Sequence, residues 1–274
     1  MGKDIIGFIG AGNMATALIR GLIESGVHGA DQLCASDIHD KRLKELSARF
    51  RLCVHPTNQA LVQECTVIVL AVKPQNMGAV LEDIREKVRD DHLVISIAAG
   101  IPLKMICGTI GRDIAAIRVM PNTPALIQRG MSALASGGKA TAGDLERARK
   151  IFDSVGGTVI VSEEMMDAVT ALSGSGPGYV FKLMECFVSA GVKVGFDQGT
   201  ALQLVTQTFL GAAHLAAESE KGLSELREMV TSPGGTTAAG LAVMEERRLA
   251  AILEEVVEVA CKRSIELGKK YDVN

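Results

Sequence analysis

A chain of 274 residues has room for one large domain or two of ordinary size, and 47% hydrophobic residues are ample for a core. A net charge of −3 and a pI near 6.0 offer no basic field to nucleic acid, and 3% aromatics with no Trp leave few platforms for stacking bases. The six cysteines, at 34, 53, 65, 107, 186 and 261, show no metal-ligand spacing and lie mostly in apolar runs. They read as small buried hydrophobes in a reducing compartment. With the five histidines equally scattered, no metal site is expected.

The start, Met1-Gly2-Lys3-Asp4 and then a strand, carries no signal-peptide pattern, so a cytoplasmic location is expected. Residues 5–9 are a short apolar strand. They run into Gly10-Ala11-Gly12-Asn13-Met14-Ala15, after which Ala17, Leu18, Leu22 and Ile23 recur at helical spacing. This is the G-x-G-x-x-A form of the dinucleotide fingerprint between a strand and a helix. Gly10 makes the tight turn, Gly12 lets a pyrophosphate approach, and the helix start offers dipole and free N–H groups. The other reading is a tight turn in an unrelated α/β protein.

A second strand, 32–36, ends in Ser36-Asp37, with Lys41-Arg42 following. An acidic residue here bonds ribose hydroxyls and favours NAD, whereas a hydroxyl with nearby cations favours NADP. Both are present, so the choice of coenzyme stays open, and Asp37 also suits the N-cap of a helix beginning near Asp40. Residues 66–72 (TVIVLAV) form a continuous apolar run, as in a strand covered on both faces. A helix through Val88 follows. Further strands are expected at 92–98, 114–119, 131–135 and 158–161, with a helix at 142–154 between the last two. Small residues and prolines sit at the C-terminal strand ends, Lys73-Pro74, Ala99-Gly100 and 120–124, where open parallel sheets bind ligands.

Beyond Ser162 no strand is expected. From Met165 to Ala217 only Asp167, Lys182, Glu185, Lys193 and Asp197 are charged. Helices so apolar all round must be buried, a segment of this size cannot bury them alone, and a partner subunit is the natural cover. The uncharged stretch 198–217 has the length of a membrane span, but its three Gln, three Thr and one His exclude it. Helices at 224–230, 238–247 and 249–270 complete the chain. Before the second of these, Thr231-Ser232-Pro233-Gly234-Gly235-Thr236-Thr237 breaks the chain and restarts it as a helix. Such a turn holds a carboxylate on backbone donors and aims one hydroxyl beside it. The bland alternative is a helix–helix corner with a Thr cap.

GFIGAGNMA at 7–15, AVKP at 71–74, SIAAG at 96–100, MPNTP at 120–124, LSGSGPGYVF at 172–181 and TSPGGTT at 231–237 together resemble the motif set of the pyrroline-5-carboxylate reductase family, in order and nearly from end to end. The resemblance implies an N-terminal Rossmann-like doubly wound parallel sheet over 1–162. An all-α domain for substrate binding and oligomerisation would follow over 163–274, pairing into homodimers or larger assemblies built on them. It implies reduction of 1-pyrroline-5-carboxylate to L-proline, the last step of proline biosynthesis, with NADPH, or NADH as the possible alternative. No nucleic-acid or membrane partner is implied. Gly10, Ala11, Gly12, Asn13 and Met14 would hold the pyrophosphate, and Ser36 and Asn58 would lie by the adenosine ribose and any 2′-phosphate. Ala71, Val72, Lys73, Pro74, Ala98 and Ala99 would line the dinucleotide. Thr236 and Thr237 would hold the substrate carboxylate, with the Thr237 hydroxyl, the catalytic group, on the ring nitrogen, and Glu220 would shape the pocket. Two residues depart from the family pattern. Asp37 is not the small or neutral residue of many NADP-preferring members, and Lys182 is unusual at its place. Gly178-Tyr179-Val180-Phe181-Lys182 also spells the G-x-x-x-K of 3-hydroxyacid dehydrogenases and imine reductases, whose lysine is a general acid. The asparagine expected four residues on is Cys186. A non-enzymatic dinucleotide-sensing protein is the remaining alternative.

Overall fold

Apolar runs with no polar alternation need cover on both faces, and the sheet supplies it. The computed structural model describes residues 4–271. The strands are β1 (Ile6–Ile9), β2 (Leu33–Ser36), β3 (Cys53–Val54), β4 (Val67–Leu70), β5 (Leu93–Ser96), β6 (Ala115–Met120), β7 (Gly130–Gly138) and β8 (Gly156–Ile160). Their spatial order is β3-β2-β1-β4-β5-β6-β7-β8. Six helices run between them: α1 (Asn13–Glu24), α2 (Asp40–Phe50), α3 (Asn58–Glu64), α4 (Met77–Ile84), α5 (Leu103–Ile110) and α6 (Ala142–Asp153).

The period of two along each strand sorts its side chains between two cores. Leu33, Ala35, Val67, Val69 and Ile117 share one with Leu18 and Leu22 of α1, Leu43 and Leu46 of α2, and Ile151 and Phe152 of α6. Cys34, Ile68, Leu70, Val94 and Ala116 share the other with Leu61 of α3, Leu81 and Ile84 of α4, and Ile106 of α5. Each fully buried Leu or Phe contributes about 1.5–3 kcal/mol relative to an exposed one, so the two-sided cover holds the sheet. The order reverses at β1, where the chain winds one way to β2 and β3 and the other way to β4. That is the switch point at which doubly wound sheets open a crevice beyond their C-terminal strand ends.

The structure differs from the sequence expectations in several places. β7 runs antiparallel to β6 in an otherwise parallel sheet, because a short 3₁₀ turn, Thr123–Ile127, returns the chain directly where a parallel partner needs a long crossover. The helix expected to reach Val88 ends at Ile84, whose carbonyl accepts from the amides of both Lys87 and Val88. β3, α3 and α5 were not expected; two residues of strand and seven or eight of helix are too short to show a period. Finally, the cysteines are not uniformly buried. Cys34 and Cys65 are, but Cys53 and Cys186 are exposed, and all six are free thiols.

After β8 the chain is helical: α7 (Met166–Val169), α8 (Gly176–Lys193), α9 (Gln198–Glu218), α10 (Leu223–Met229), α11 (Thr236–Glu246) and α12 (Leu249–Gly268). A π-helical turn, Thr170–Gly174, joins α7 to α8. Residues up to Ser175, with those from Val259 onward, form one compact unit, and Gly176–Glu258 form the second. Among described residues of the second unit, the only buried hydrophobic residue is Ala201. Phe181, Phe187, Leu202, Leu210 and Leu223 are each more than two-fifths exposed. This agrees with the expectation that one chain cannot bury these helices alone, and their apolar surface is left for something else to cover. No helix among the described residues is long and apolar enough to cross a membrane.

Candidate active site

The Gly-rich turn between β1 and α1 is tied to the end of β2. The Gly10 N–H donates to the Ser36 carbonyl at 2.8 Å, and the Ala11 N–H to Asp37 Oδ2 at 2.7 Å. Gly10 has φ +100°, and a Cβ there would stand 2.6 Å from the Ala71 carbonyl oxygen, so the fold itself requires this glycine. Gly12 is different. As the N-cap of α1 it has φ −77°, which any residue adopts, and a Cβ would meet nothing within 4 Å. No side chain caps the helix, so its first N–H groups, from Asn13 and Met14 on, have no helical partners. An open space beside uncapped donors at a positive helix end fits a pyrophosphate.

Asp37 is not the N-cap of α2. The N-cap is His39, and Asp37 spends its oxygens on the Ala11 N–H and on the His39 N–H at 2.8 Å. Its side chain is 7% exposed, with Arg42 Nη1 at 3.9 Å from Oδ2. The carboxylate therefore braces the Gly-rich turn. Asp37→Ser should lower the melting temperature and raise KM for NADH and NADPH together, since hydrogen bonds to a charged group contribute about 1.5–3 kcal/mol. Thermal denaturation and kinetics with both coenzymes check this. A gain confined to NADPH at unchanged melting temperature would show instead that the carboxylate repels a 2′-phosphate.

Beside it the fold brings Ser36 and Asn58 together. The buried Ser36 hydroxyl donates to Asn58 Oδ1 at 2.8 Å, and Asn58 Nδ2 donates to Asp83 at 2.9 Å. Across the switch point, Ala71, Val72 and Pro74 are half-buried and Lys73 is exposed at the end of β4, while beyond β5 Ala98 is buried and Ala99 exposed. These segments share the C-terminal edge of the parallel strands. Two further residues at this edge were not singled out from the sequence. Asn122 Nδ2 donates to the backbone and hydroxyl oxygens of Ser173 at 3.3 Å each, and its Oδ1 accepts from the Met131 N–H. Asn122 thereby ties the π-helical turn of LSGSGPG to MPNTP. Only the co-occurrence of the two motifs hinted at this.

In the helical unit, Gly234 has φ +71°, and the Gly235 N–H closes the turn on the Ser232 carbonyl at 3.0 Å. Gly235 is the N-cap of α11, with no side-chain cap. Thr236 and Thr237 are therefore the first two helical residues and not caps, which corrects the corner reading. The amides of Thr236, Thr237 and Ala238 lack helical partners. Thr236 is exposed and Thr237 half-buried. Glu220 lies exposed in the loop between α9 and α10. Lys182 is solvent-facing on α8, its side chain 72% exposed and paired with Glu185 at 3.2 Å. An amine so placed in the chain is an ordinary surface cation.

The scatter of cysteines and histidines along the sequence does not carry over into the fold. Donor atoms of Cys34, Cys53, His55 and Glu64 all lie within 4.8 Å of one another. Strand register and helix packing gather residues whose sequence spacing shows no pattern. A hydrogen bond with Cys65 and burial push the Cys34 thiol up, and burial does the same for Cys53, so both are ordinary protonated thiols and not reactive thiolates.

A doubly wound sheet with an uncapped glycine turn at its switch point, followed by a unit of exposed apolar helices, defines a dinucleotide-dependent oxidoreductase with a separate helical unit. The comparisons narrow the class. Residues 163–267 match the family described as pyrroline-5-carboxylate reductase dimerisation, and residues 5–100 match NADP oxidoreductase coenzyme F420-dependent. The chain is 43% identical to a pyrroline-5-carboxylate reductase of Methanosarcina acetivorans, over 98% of this chain and 100% of that one, and 41% identical to one of Pseudomonas aeruginosa, over 98% and 99%. Among solved structures it is similar to a pyrroline-5-carboxylate reductase from Coxiella burnetii (TM-score 0.93, 33% identity, 97% and 99% covered). It is also similar to the Plasmodium falciparum pyrroline carboxylate reductase with NADP bound (TM-score 0.86, 31% identity, 98% and 99% covered). The chain belongs to the pyrroline-5-carboxylate reductase family, and it is an NAD(P)H-dependent oxidoreductase.

Proposed function

We propose that the protein reduces 1-pyrroline-5-carboxylate to L-proline. The observation that carries this reading is the uncapped start of α11, where unpaired amides and the Thr237 hydroxyl stand together. A ring carrying a carboxylate on the carbon next to an imine nitrogen presents an acceptor-rich group beside a nitrogen that accepts when neutral and donates when protonated; this turn offers backbone amides to the first and a hydroxyl, able to donate or accept, to the second. When bound, the reduced nicotinamide supplies the hydride. The amides of Thr236 and Thr237 hold the carboxylate, and the Thr237 hydroxyl holds the ring nitrogen and fixes which face of the imine is presented. Glu220 borders the pocket. The imine is electrophilic once protonated, so the chain's main work is positioning, which supplies up to about 7–11 kcal/mol for well-oriented reactants. A catalytic His or Asp is then unnecessary.

On the coenzyme side, the Gly10–Met14 turn holds the pyrophosphate, Ser36 and Asn58 face the adenosine ribose, and Ala71–Pro74 with Ala98 and Ala99 line the rest. NADPH is our first choice, with NADH as the alternative. We place the functional division at 162/163, which the start of the dimerisation match at 163 supports, and we place the protein in the cytoplasm, in keeping with six free cysteines.

NADPH oxidation on mixing with 1-pyrroline-5-carboxylate, against a panel of hydroxy- and keto-acids, tests the reading. Turnover of the hydroxy- or keto-acids alone would overturn it. The exposed helices imply an assembly no smaller than a dimer, so sedimentation at low micromolar concentration should show no stable, active 28.9 kDa monomer.

A further inference from the structure

The cluster beneath the adenosine edge has the make-up and dimensions of a small metal centre. Cys34 and Cys53 are register partners on the adjacent parallel strands β2 and β3. His55 follows Cys53 by two residues, and its N–H donates to the Ala35 carbonyl at 2.9 Å, which holds it against β2. Glu64 ends α3, the helix that packs on the Cys34 face of the sheet. Cys53 Sγ lies 3.6 Å from His55 Nε2, and His55 Nε2 lies 3.2 Å from Glu64 Oε2. A tetrahedral zinc ion with Zn–S of about 2.3 Å and Zn–N and Zn–O of about 2.0–2.1 Å sets its ligands apart by about 3.6 Å for S···N and about 3.3 Å for N···O. Both of these edges match, and the remaining donor pairs lie within 4.8 Å. Among the described residues His55 is the only ion-pair partner of Glu64, so two sulfurs and a carboxylate converge with one imidazole and no lysine or arginine bonded to them.

We propose that Cys34, Cys53, His55 and Glu64 bind one divalent zinc ion, a structural site that ties β2, β3 and α3 together. Two thiols with an imidazole and a carboxylate select zinc over the hard cations. All four places are filled by protein, so the ion has no open position for substrate and is not part of the reduction. Binding displaces two thiol protons, leaving Zn²⁺ with two thiolates, a neutral imidazole and a carboxylate. Its place in the fold says what it stabilises. β3 is a two-residue strand at the edge of the sheet, held by few ladder bonds, and α3 is two turns long. Both are short, so an added tie between them has most to contribute there.

The test uses the tag-free, fully reduced chain with Zn²⁺ or Co²⁺ alone. One Zn²⁺ binds per chain, with proton release, and raises the melting temperature. Co²⁺ gives thiolate-to-metal charge-transfer absorption and the strong visible bands of a tetrahedral ion. Cys53→Ser and Glu64→Gln alter exposed side chains and leave the fold intact, and each weakens Zn²⁺ binding by at least about tenfold, the lower end of what even outer-shell changes cost. Cys107→Ser does not. No binding, a Co²⁺ spectrum without thiolate charge transfer, or affinity unchanged in Cys53→Ser would each overturn the proposal. These readouts do not depend on turnover, so they stand apart from the assay of the reductase.

Discussion

Gly12→Val should give a protein with the parent's melting temperature and sedimentation behaviour that no longer binds NADPH. The residue sits at an ordinary φ of −77°, and its missing Cβ faces open space, so the apo-fold gains no clash. A branched side chain there would occupy the room through which, on the proposed reading, a pyrophosphate reaches the first amides of α1. Losing two hydrogen bonds to a charged group, each about 1.5–3 kcal/mol, raises Kd by about a hundredfold or more. Gly10→Ala is the contrasting variant. Its Cβ would press within 2.6 Å of the Ala71 carbonyl at φ +100°, so it should lower thermal stability as well. Fluorescence titration with NADPH alongside thermal denaturation separates the two. If Gly12→Val bound as tightly as the parent, the Gly10–Ala15 turn would not be the phosphate site.

Thr237→Val should lower kcat/KM for 1-pyrroline-5-carboxylate by roughly ten- to a hundredfold. On the proposed reading the hydroxyl bonds the ring nitrogen as hydride arrives, and such a bond to a charged group is worth about 1.5–3 kcal/mol. Valine keeps the shape and the backbone amide, so coenzyme affinity and assembly size should not change. The matched control is Lys182→Met, which removes a solvent-facing amine from its pair with Glu185 and should leave turnover intact. The opposite pattern, an active Thr237→Val and a dead Lys182→Met, would move the acid group to α8 and reduce the start of α11 to a corner.

How far these residues could be read in advance depended on whether their role is local. Gly10 to Ala15 were legible because a strand, two glycines and an apolar helix follow one another in the chain. The start of α11 was legible for the same reason, with Pro233 and the glycines marking the break. Period and composition also exposed the two-sided sheet and the sparsely charged helices. What escaped was non-local. Asp37 offered two plausible local roles, and its carboxylate took a third, bracing an amide 26 residues away. Asn122 reaches Ser173 across 51 residues. The Cys34, Cys53, His55 and Glu64 group exists only through strand register and helix packing, neither of which leaves a spacing in the chain.

The lack of an internal core in Gly176–Glu258 bears on how the protein reaches its native state. The sheet unit carries its own two cores and can become ordered at a rate independent of protein concentration. The helices cannot, because nearly all the apolar area that would stabilise them is still in water when one chain has finished collapsing. Their ordering waits for encounter with another chain. Refolding should therefore split into a first-order phase, seen by probes on the sheet, and a second-order phase, seen by helical signal and recovered activity, that slows on dilution. Between the two phases the chain carries bare phenylalanines and leucines, the interval in which a chaperone has something to hold.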